Sequence, residues 1–187
     1  MRSFVNDKED PRSIQDNTLQ SIYIDDDATM WVGTYKNGVA YYSESTYKFR
    51  NIAIGDICTI TEDHQGNYWC GSNDSGIVVY NPFTHSSRRY NTRNSALQSE
   101  VVVSSCCARD GSMWFGTYNG GLSHYQNGKF ITYSKKNGGL ANDNVWSIVE
   151  DKKGNIWIGT LGSGVQMFDH NTGIFTTYNV ANTGIAS

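Results

Sequence analysis

Short stretches in which apolar and polar residues alternate run along the whole chain, and Gly, Asn and Asp residues separate them. In the last quarter of the sequence this alternation predicts a first strand over residues 144–150, a tight turn over 151–154 and a second strand over 155–160. A third strand over 164–168 and a fourth over 174–178 follow. Because a period of two residues favours strands over helices, we expect a four-stranded antiparallel sheet here.

The same pattern occurs four times along the chain. Each copy contains a turn followed by a Trp, one variable residue and a Gly. The marker tryptophans Trp31, Trp69, Trp114 and Trp157 are 38, 45 and 43 residues apart. A repeat of this length is typical of propeller blades rather than of helical solenoids or leucine-rich repeats. The sequence therefore predicts an all-β fold made of four four-stranded antiparallel β-propeller blades.

We place the blades at residues 17–55, 56–99, 100–143 and 144–187 of a single propeller segment, 1–187. Residues 1–16 have the character of the end of a preceding blade and its loop. Phe4 and Val5 run into a polar stretch, just as the aromatic strand Phe130–Tyr133 does later in the chain. We therefore expect a fragment that begins and stops between repeats.

A four-stranded sheet with apolar side chains on both faces cannot bury them alone, so each blade must pack against a neighbour. We assign the four marker tryptophans to these contacts, since an indole buries a large apolar area. Four blades taken from a larger ring would leave two apolar end faces bare. The chain could close into a four-bladed ring or self-associate with a second copy through its terminal blades, and we favour the second arrangement.

Composition excludes several classes of function. The 187 residues contain only 15 Lys plus Arg and carry a formal net charge of -3, so we expect no nucleic-acid partner. The sequence has neither an apolar run of about 18 residues nor a charged leader followed by an apolar stretch, so we expect no membrane contact by this segment. A domain excised from a longer membrane protein would also lack both features.

The cysteines Cys58, Cys70, Cys106 and Cys107 lack metal-ligand spacing, and the last two are adjacent, which disfavours a bridge between them. We interpret them as free thiols in strands, which leaves the redox compartment open. The four histidines occupy different places in the repeat. We therefore predict no metal site and no cofactor. We interpret the run Asp25–Asp27 as a solvated acidic surface, and calcium binding by these residues is the less favoured alternative.

The repeat resembles a known family in several motifs. Asp10-Pro11, Ser13-Ile14, Trp31–Thr34 and Asn37-Gly38 match the two-component regulator propeller repeat, as do Gly120–Leu122 and Gly154–Thr160. The chain departs from that pattern at Ala28, where Gly is usual, at Ala108, where the turn has Asp, and at Cys70 in a second strand. These departures put the geometry of individual turns in question.

The resemblance implies a seven-bladed propeller in the periplasmic sensor region of a bacterial hybrid two-component sensor histidine kinase. Such regions respond to oligosaccharides and control genes for polysaccharide use. The resemblance also implies a segment that senses a ligand or transmits a signal and that catalyses nothing. An interaction scaffold that binds another protein and no small molecule is the alternative, although the Gly-His and Trp-Asp pairs of WD-repeat propellers are missing.

In a propeller, the loops from second to third strands share one face with the residues that precede the first strands. Aromatic rings beside amide and charged groups suit sugars, which have apolar faces and many hydroxyls. The predicted ligand-binding residues are Tyr35, Lys36, Asn37, Asn73, Asp74, Tyr118, Asn119 and Trp146. The residue type at the position of Trp146 differs between repeats, and the other three repeats have Gln20, Cys58 and Val103 there. The residues next to this position match between repeats. Exposed loops without a ligand, and packing of Trp146 within the inner strands, remain the alternatives.

An enzyme is a weaker reading of this sequence. The Asp box of sialidase-type propellers has a turn one residue shorter than Asp151–Gly154. A glycosidase would need two facing carboxylates, whereas the acids here concentrate in turns. No nucleophile elbow, phosphate loop or zinc signature is present in the sequence. We therefore predict no catalytic residues.

Overall fold

A computed structural model describes residues 3–43 and 48–183. The first sheet contains β1 (Leu19–Ile24), β2 (Met30–Thr34), β3 (Gly38–Ser43) and β4 (Lys48–Ile52). The second contains β5 (Ile57–Glu62), β6 (Tyr68–Ser72), β7 (Ile77–Asn81) and β8 (Ser86–Tyr90). The third contains β9 (Val102–Cys107), β10 (Met113–Thr117), β11 (Leu122–Gln126) and β12 (Lys129–Tyr133). The fourth contains β13 (Val145–Glu150), β14 (Ile156–Thr160), β15 (Val165–Phe168) and β16 (Phe175–Tyr178), and the short helix α1 (Val180–Thr183) follows it.

Each sheet is an antiparallel meander in which the strands pair in chain order. The inner strands of successive sheets pack side by side, β1 on β5, β5 on β9 and β9 on β13. The all-β fold of four four-stranded blades is therefore confirmed. The structure describes no helix long and apolar enough to cross a membrane.

Tight turns between first and second strands set the register of each blade. In the first blade, the carboxylate of Asp25 accepts hydrogen bonds from the backbone amides of Asp27 and Thr29 at 3.1 and 2.8 Å. Gly154 takes a φ of 87° in the fourth turn, and Ala28 takes a φ of 59° at the matching place in the first. A residue with a Cβ rarely adopts this left-handed region, so the first turn keeps its shape at a conformational cost.

Apolar side chains between neighbouring blades form three cores. Around the first interface Trp31, Ile60 and Tyr68 pack together, and the Trp31 and Tyr68 ring centroids lie 3.9 Å apart. The second core contains Trp69, and the third contains Trp114. Three of the four marker tryptophans thus lie between blades, as expected.

The fourth marker differs. Trp157 is partly exposed and stacks on Tyr178 of its own blade at 5.4 Å. It lies with Val149 and Met167 on the outward side of the fourth sheet, which we call the tail face. The described residues include no blade beyond this side, so the assignment of Trp157 to a contact between blades stays a prediction.

The outward side of the first sheet is only half covered. Its inner part carries Ile22 and Ile24, which are 62% and 63% exposed. Its outer part is covered by the preceding segment, since Phe4 lies 5.0 Å from the ring of Tyr42 and Ile14 is buried. We call this side, with Ile22, Ile24, Met30 and Val32 from β1 and β2, the head face. Val149 on the tail face is 57% exposed, so these two faces do not cover one another.

Candidate ligand-binding face

One end of the blades gathers the loops from second to third strands and the residues that precede the first strands. A backbone hydrogen bond of the same kind joins these two segments in every blade. The bonds run from Tyr35 N to Thr18 O, Asn73 N to Asp56 O, Tyr118 N to Val101 O and Leu161 N to Asn144 O, at 2.9 to 3.0 Å. We call this end the loop face. All eight sequence-predicted site residues lie on it or at its inner edge.

Every first strand carries a β-bulge just after it begins. The residue in the bulge has no partner in the register of the second strand, and the four bulged residues are Gln20, Cys58, Val103 and Trp146. These are the positions that varied between repeats in the sequence. A bulge leaves one residue unpaired, bends the strand locally and re-aims a side chain. The structure therefore explains why the residue type varies at this position while the neighbouring residues match between blades.

Three aromatic side chains of the loop face are open to solvent. Tyr35, Tyr118 and Trp146 are 37%, 44% and 50% exposed. Within residues 3–43 and 48–183, none of these rings stacks on another aromatic ring. Tyr118 and Trp146, on the third and fourth blades, therefore offer ring surface to a ligand, whereas the Lys36 ammonium lies over the ring of Tyr35 on the first blade.

Several predicted polar residues already have partners in their own loops. The ammonium of Lys36 lies 4.9 Å from the centre of the Tyr35 ring. The side-chain amide of Asn37 donates to Asp16 at 3.1 Å. These contacts hold the first loop together, so its polar groups are less available to a ligand than the sequence suggests.

In the second loop, the side-chain amide of Asn73 donates to Asp56 at 3.4 Å, and Asp74 accepts a hydrogen bond from Ser75 at 2.6 Å. In the third, the backbone amide of Asn119 donates to the side chain of Asn144 at 3.0 Å. This last bond connects the loop of the third blade to the start of the fourth. No hydrogen bond between described side chains joins the predicted residues of different blades, so the sequence-predicted set is spread over the face.

A polar cleft of about 660 Å³ lies on the loop face beside the third blade. Amide, hydroxyl and charged side chains dominate its lining, which consists of Ala96, Gln98, Asn119, Gly120, Thr132, Ser134, Lys136, Asn137 and Asp143. Only Asn119 among these was predicted from the sequence. The others come mainly from the segments that connect blades. The high content of Asn, Ser and Gly in these segments is the sequence feature that could have indicated them. A cleft of this volume can hold a small ligand.

Two carboxylates on the loop face carry a buried oxygen without a hydrogen-bond partner. These atoms are Oδ1 of Asp56 and Oε2 of Glu100. Burial raises the pKa of the neighbouring Cys58 thiol to about 11, and the charges of Asp56 and Asp74 add to this effect. Buried polar atoms normally find a partner, so these two oxygens are unsatisfied acceptors at this end of the blades. Sequence reasoning missed both residues.

The cysteines and His124 lie away from the cleft of the loop face. All four cysteines are free thiols. His124 stacks on Trp114 at 4.1 Å within the third blade. No group of three or more His, Cys, Asp or Glu side chains in residues 3–43 and 48–183 is arranged to hold a metal ion.

Comparisons with known proteins identify the repeat. The sequence profile of the two-component regulator propeller matches residues 96–119 and 139–162. One similar structure is described as the extracellular domain of a hybrid two-component system, BT3049 of B. thetaiotaomicron, with 26% identity over 92% of this chain and a TM-score of 0.78. Another is the extracellular domain of the one-component system BT4673 of the same organism, with 26% identity over 82% of this chain and a TM-score of 0.67.

This chain spans only 25% and 22% of the length of those two structures. Virginiamycin B lyase from Staphylococcus aureus shares the fold at a TM-score of 0.73, over 90% of this chain and 58% of the enzyme, but is only 14% identical. That likeness concerns the fold alone. No curated protein matches the sequence. The third and fourth blades thus match the two-component regulator propeller repeat, and the chain as a whole is similar in fold to extracellular domains of such systems.

Proposed function

We propose that this chain is the oligosaccharide-sensing part of a periplasmic sensor region in a hybrid two-component histidine kinase that controls genes for polysaccharide use. The similar extracellular domains of a hybrid two-component system and of a one-component system support a sensor segment outside the cytoplasm. The loop face would bind the sugar, and the blades would transmit the binding signal. The segment itself would carry out no reaction.

The observation that carries the proposal is the polar cleft lined by Asn119. A sugar presents hydroxyls that need paired donors and acceptors, and the cleft offers amides from Gln98, Asn119 and Asn137 together with the Lys136 ammonium and the Asp143 carboxylate. A sugar also presents apolar ring faces, which stack on aromatic side chains. Tyr118 precedes Asn119, which lines the cleft, and the Tyr118 side chain is 44% exposed.

Calorimetric titration with a panel of oligosaccharides tests the proposal. We expect Tyr118→Ala and Trp146→Ala each to weaken binding by about tenfold, since a stacked ring contributes about 1–1.5 kcal/mol. Phe83→Ala is the control, because Phe83 is also an exposed aromatic ring, 79% exposed, and lies in the turn between β7 and β8 at the opposite end of the blades. Unchanged affinity in both loop-face variants would remove these residues from the site.

A protein-binding scaffold is the second candidate. The observation that favours it is the exposure of Phe83 and Ile131, large apolar side chains outside the loop face. Parallel capture on immobilised glycans and on immobilised sensor-region proteins separates the two functions. Protein capture that depends on Phe83, with no response to any glycan, would favour the scaffold.

A further inference from the structure

A cleft of about 230 Å³ lies between the first and second blades, at the end opposite the loop face. Its lining includes the carboxylates of Asp25, Asp26, Asp27 and Glu62 together with the ring of Phe83. Both of its walls are blades that the structure describes. We propose that this cleft binds the guanidinium group of an arginine side chain presented by a protein partner. This inference is independent of the proposed sugar, which would bind at the other end of the blades.

The carboxylates of this cleft repel one another. None of the ion pairs between described side chains includes one of them. The Glu62 carboxylate accepts a hydrogen bond from the Tyr23 hydroxyl at 2.9 Å. Burial raises the pKa of Glu62, and the charges of Asp25, Asp26 and Asp63 add to this effect. A cation beside Glu62 would relieve the repulsion, since an opposite charge nearby favours the ionised form of a carboxyl group.

The matching cleft between the third and fourth blades already holds a guanidinium group. The Nε atom of Arg109 pairs with Glu150 at 3.4 Å. The terminal nitrogens of Arg109 donate to the carbonyl oxygen of Lys152 at 2.9 Å and to that of Asp151. A planar guanidinium group satisfies these acceptors together, because its donors form a rigid fork that an ammonium group lacks. The chain itself therefore shows which chemical group a cleft of this kind accepts.

The cleft between the first and second blades keeps the carboxylate of that arrangement but lacks the arginine. Arg109 stands five residues before the marker tryptophan of its blade, and Asp26 has this position in the first blade. Glu150 stands seven residues before the marker of the fourth blade, and Glu62 has this position in the second. An acidic side chain thus replaces the basic one on one wall, while the acid on the other wall is retained. The cleft therefore needs a cation from outside the chain to complete the same set of contacts.

The turn of the second blade has the same shape as the turn that receives the internal arginine. The backbone amide of Gly66 donates to the carbonyl oxygen of Asp63 at 3.0 Å, and that of Gly154 donates to Asp151 at 3.1 Å. In both turns the side chain of the acid accepts a hydrogen bond from the backbone amide two residues later, at 2.9 and 2.7 Å. An incoming arginine would therefore meet the carboxylate of Glu62 and the carbonyl oxygens of this turn.

Phe83 adds an exposed aromatic ring to the lining of this cleft. It is 79% exposed, and Asn171 has the matching position in the fourth blade. A guanidinium group stacks on an aromatic ring and is attracted to its face, so Phe83 would contribute to binding an arginine. The cleft volume of about 230 Å³ is below the range of about 300–1,000 Å³ that is typical of sites for drug-sized ligands. This size suits a single side chain.

An NMR titration of the isotope-labelled chain with a short arginine peptide, blocked at both ends, tests the proposal. The reporter is the indole N–H of Trp31, which lines the cleft and donates to Asp25 at 2.8 Å. We expect a saturable shift with the arginine peptide and none with a citrulline peptide, which has a similar shape but no charge. A lysine peptide should bind about tenfold more weakly. No response to arginine, or an equal response to citrulline or lysine, would overturn the proposal.

Two variants and a matched control locate the binding site. Glu62→Gln should weaken binding of the arginine peptide by about tenfold, because it removes the charge and keeps the shape. Asp26→Arg should abolish the response and raise the urea midpoint, since the new side chain can pair with Glu62 as in the cleft between the third and fourth blades. Glu9→Arg makes the same charge change in the segment before the first blade and should keep the parent affinity. Undiminished binding in Asp26→Arg, or an equal loss in Glu9→Arg, would rule out this site.

Discussion

The indole nitrogen of Trp114 donates a hydrogen bond to the hydroxyl of Ser112 at 3.1 Å. In the first, second and fourth blades the marker indole donates instead to the Asp that opens the turn, at 2.7 to 2.9 Å. Ala108 stands at that position in the third blade and offers no acceptor. Ser112, which is buried in the same turn, supplies one. The departure from the repeat pattern at Ala108 is thus compensated four residues later.

Removing that acceptor should destabilise the third blade. Ser112→Ala leaves the buried Trp114 nitrogen without a partner, which costs about 1–3 kcal/mol of unfolding free energy. Urea denaturation measures the loss. Ala108→Asp in the Ser112→Ala background should recover part of it, since it recreates the turn of the other blades. Equal stability of Ser112→Ala and the parent chain would show that the hydroxyl is not a required acceptor.

The first turn should become more stable with glycine. Ala28 has a φ of 59°, which costs an L-residue about 1–2 kcal/mol, whereas glycine adds about 0.5–1 kcal/mol of chain entropy to the unfolded state. Ala28→Gly should therefore raise the unfolding free energy by about 0.5 kcal/mol, measured by urea denaturation. Gly154→Ala is the reverse control, because a Cβ there meets nothing closer than 3.8 Å and only backbone strain remains. A loss of stability in Ala28→Gly would contradict this account.

Stability should fall in acid through Asp25. Burial raises the pKa of this carboxyl, but the hydrogen bonds donated by Trp31 and Tyr68 outweigh burial and place the pKa below its ordinary value of 3.8. A carboxylate with a lowered folded-state pKa stabilises the fold above its unfolded-state pKa, and this contribution is lost as the pH falls through the folded-state value. Denaturation from about pH 5 downward should show a shallower loss in Asp25→Asn than in the parent chain. Asp26→Asn, which alters an exposed neighbour, should keep the parent slope.

Thiol reactivity should report the opening of the second blade. Burial raises the pKa of Cys70 to about 12, so almost none of it is thiolate near neutral pH. In the native chain at pH 8 we expect Cys70 to resist a thiol reagent until the blade unfolds, while full denaturant exposes all four thiols. Mass spectrometry of labelled peptides identifies the site. Rapid native labelling of Cys70 would contradict the buried position.

Much of the fold was readable from the sequence because each blade repeats the same local signals. The turn acids, the alternation and the marker indoles specify strands that the structure reproduces. The bulge at Trp146 was visible only as a position that varied, since bulge geometry depends on pairing with the second strand. The sequence did not predict that Ser112 serves as the acceptor for Trp114, or that Asp56 and Glu100 hold unpaired oxygens. These roles depend on atoms that packing brings together.

The same limit applies to the candidate site. Loop positions such as Tyr118 follow from the order of strands in a blade. The cleft around Gln98 and Lys136 is formed by segments between blades, which have no periodic pattern. Its lining depends on how adjacent blades are set against each other, and a single repeat carries no information about that angle.

The bulges have a consequence for how binding preference can change. Gln20, Cys58, Val103 and Trp146 have no register partner in the second strand, so a change of side chain at these four positions removes no pair between the first and second strands. Simultaneous randomisation of these four codons would give a library of variants that we expect to share the blade fold and to differ in ligand selectivity. Divergence among relatives of this chain should accordingly accumulate at these positions first.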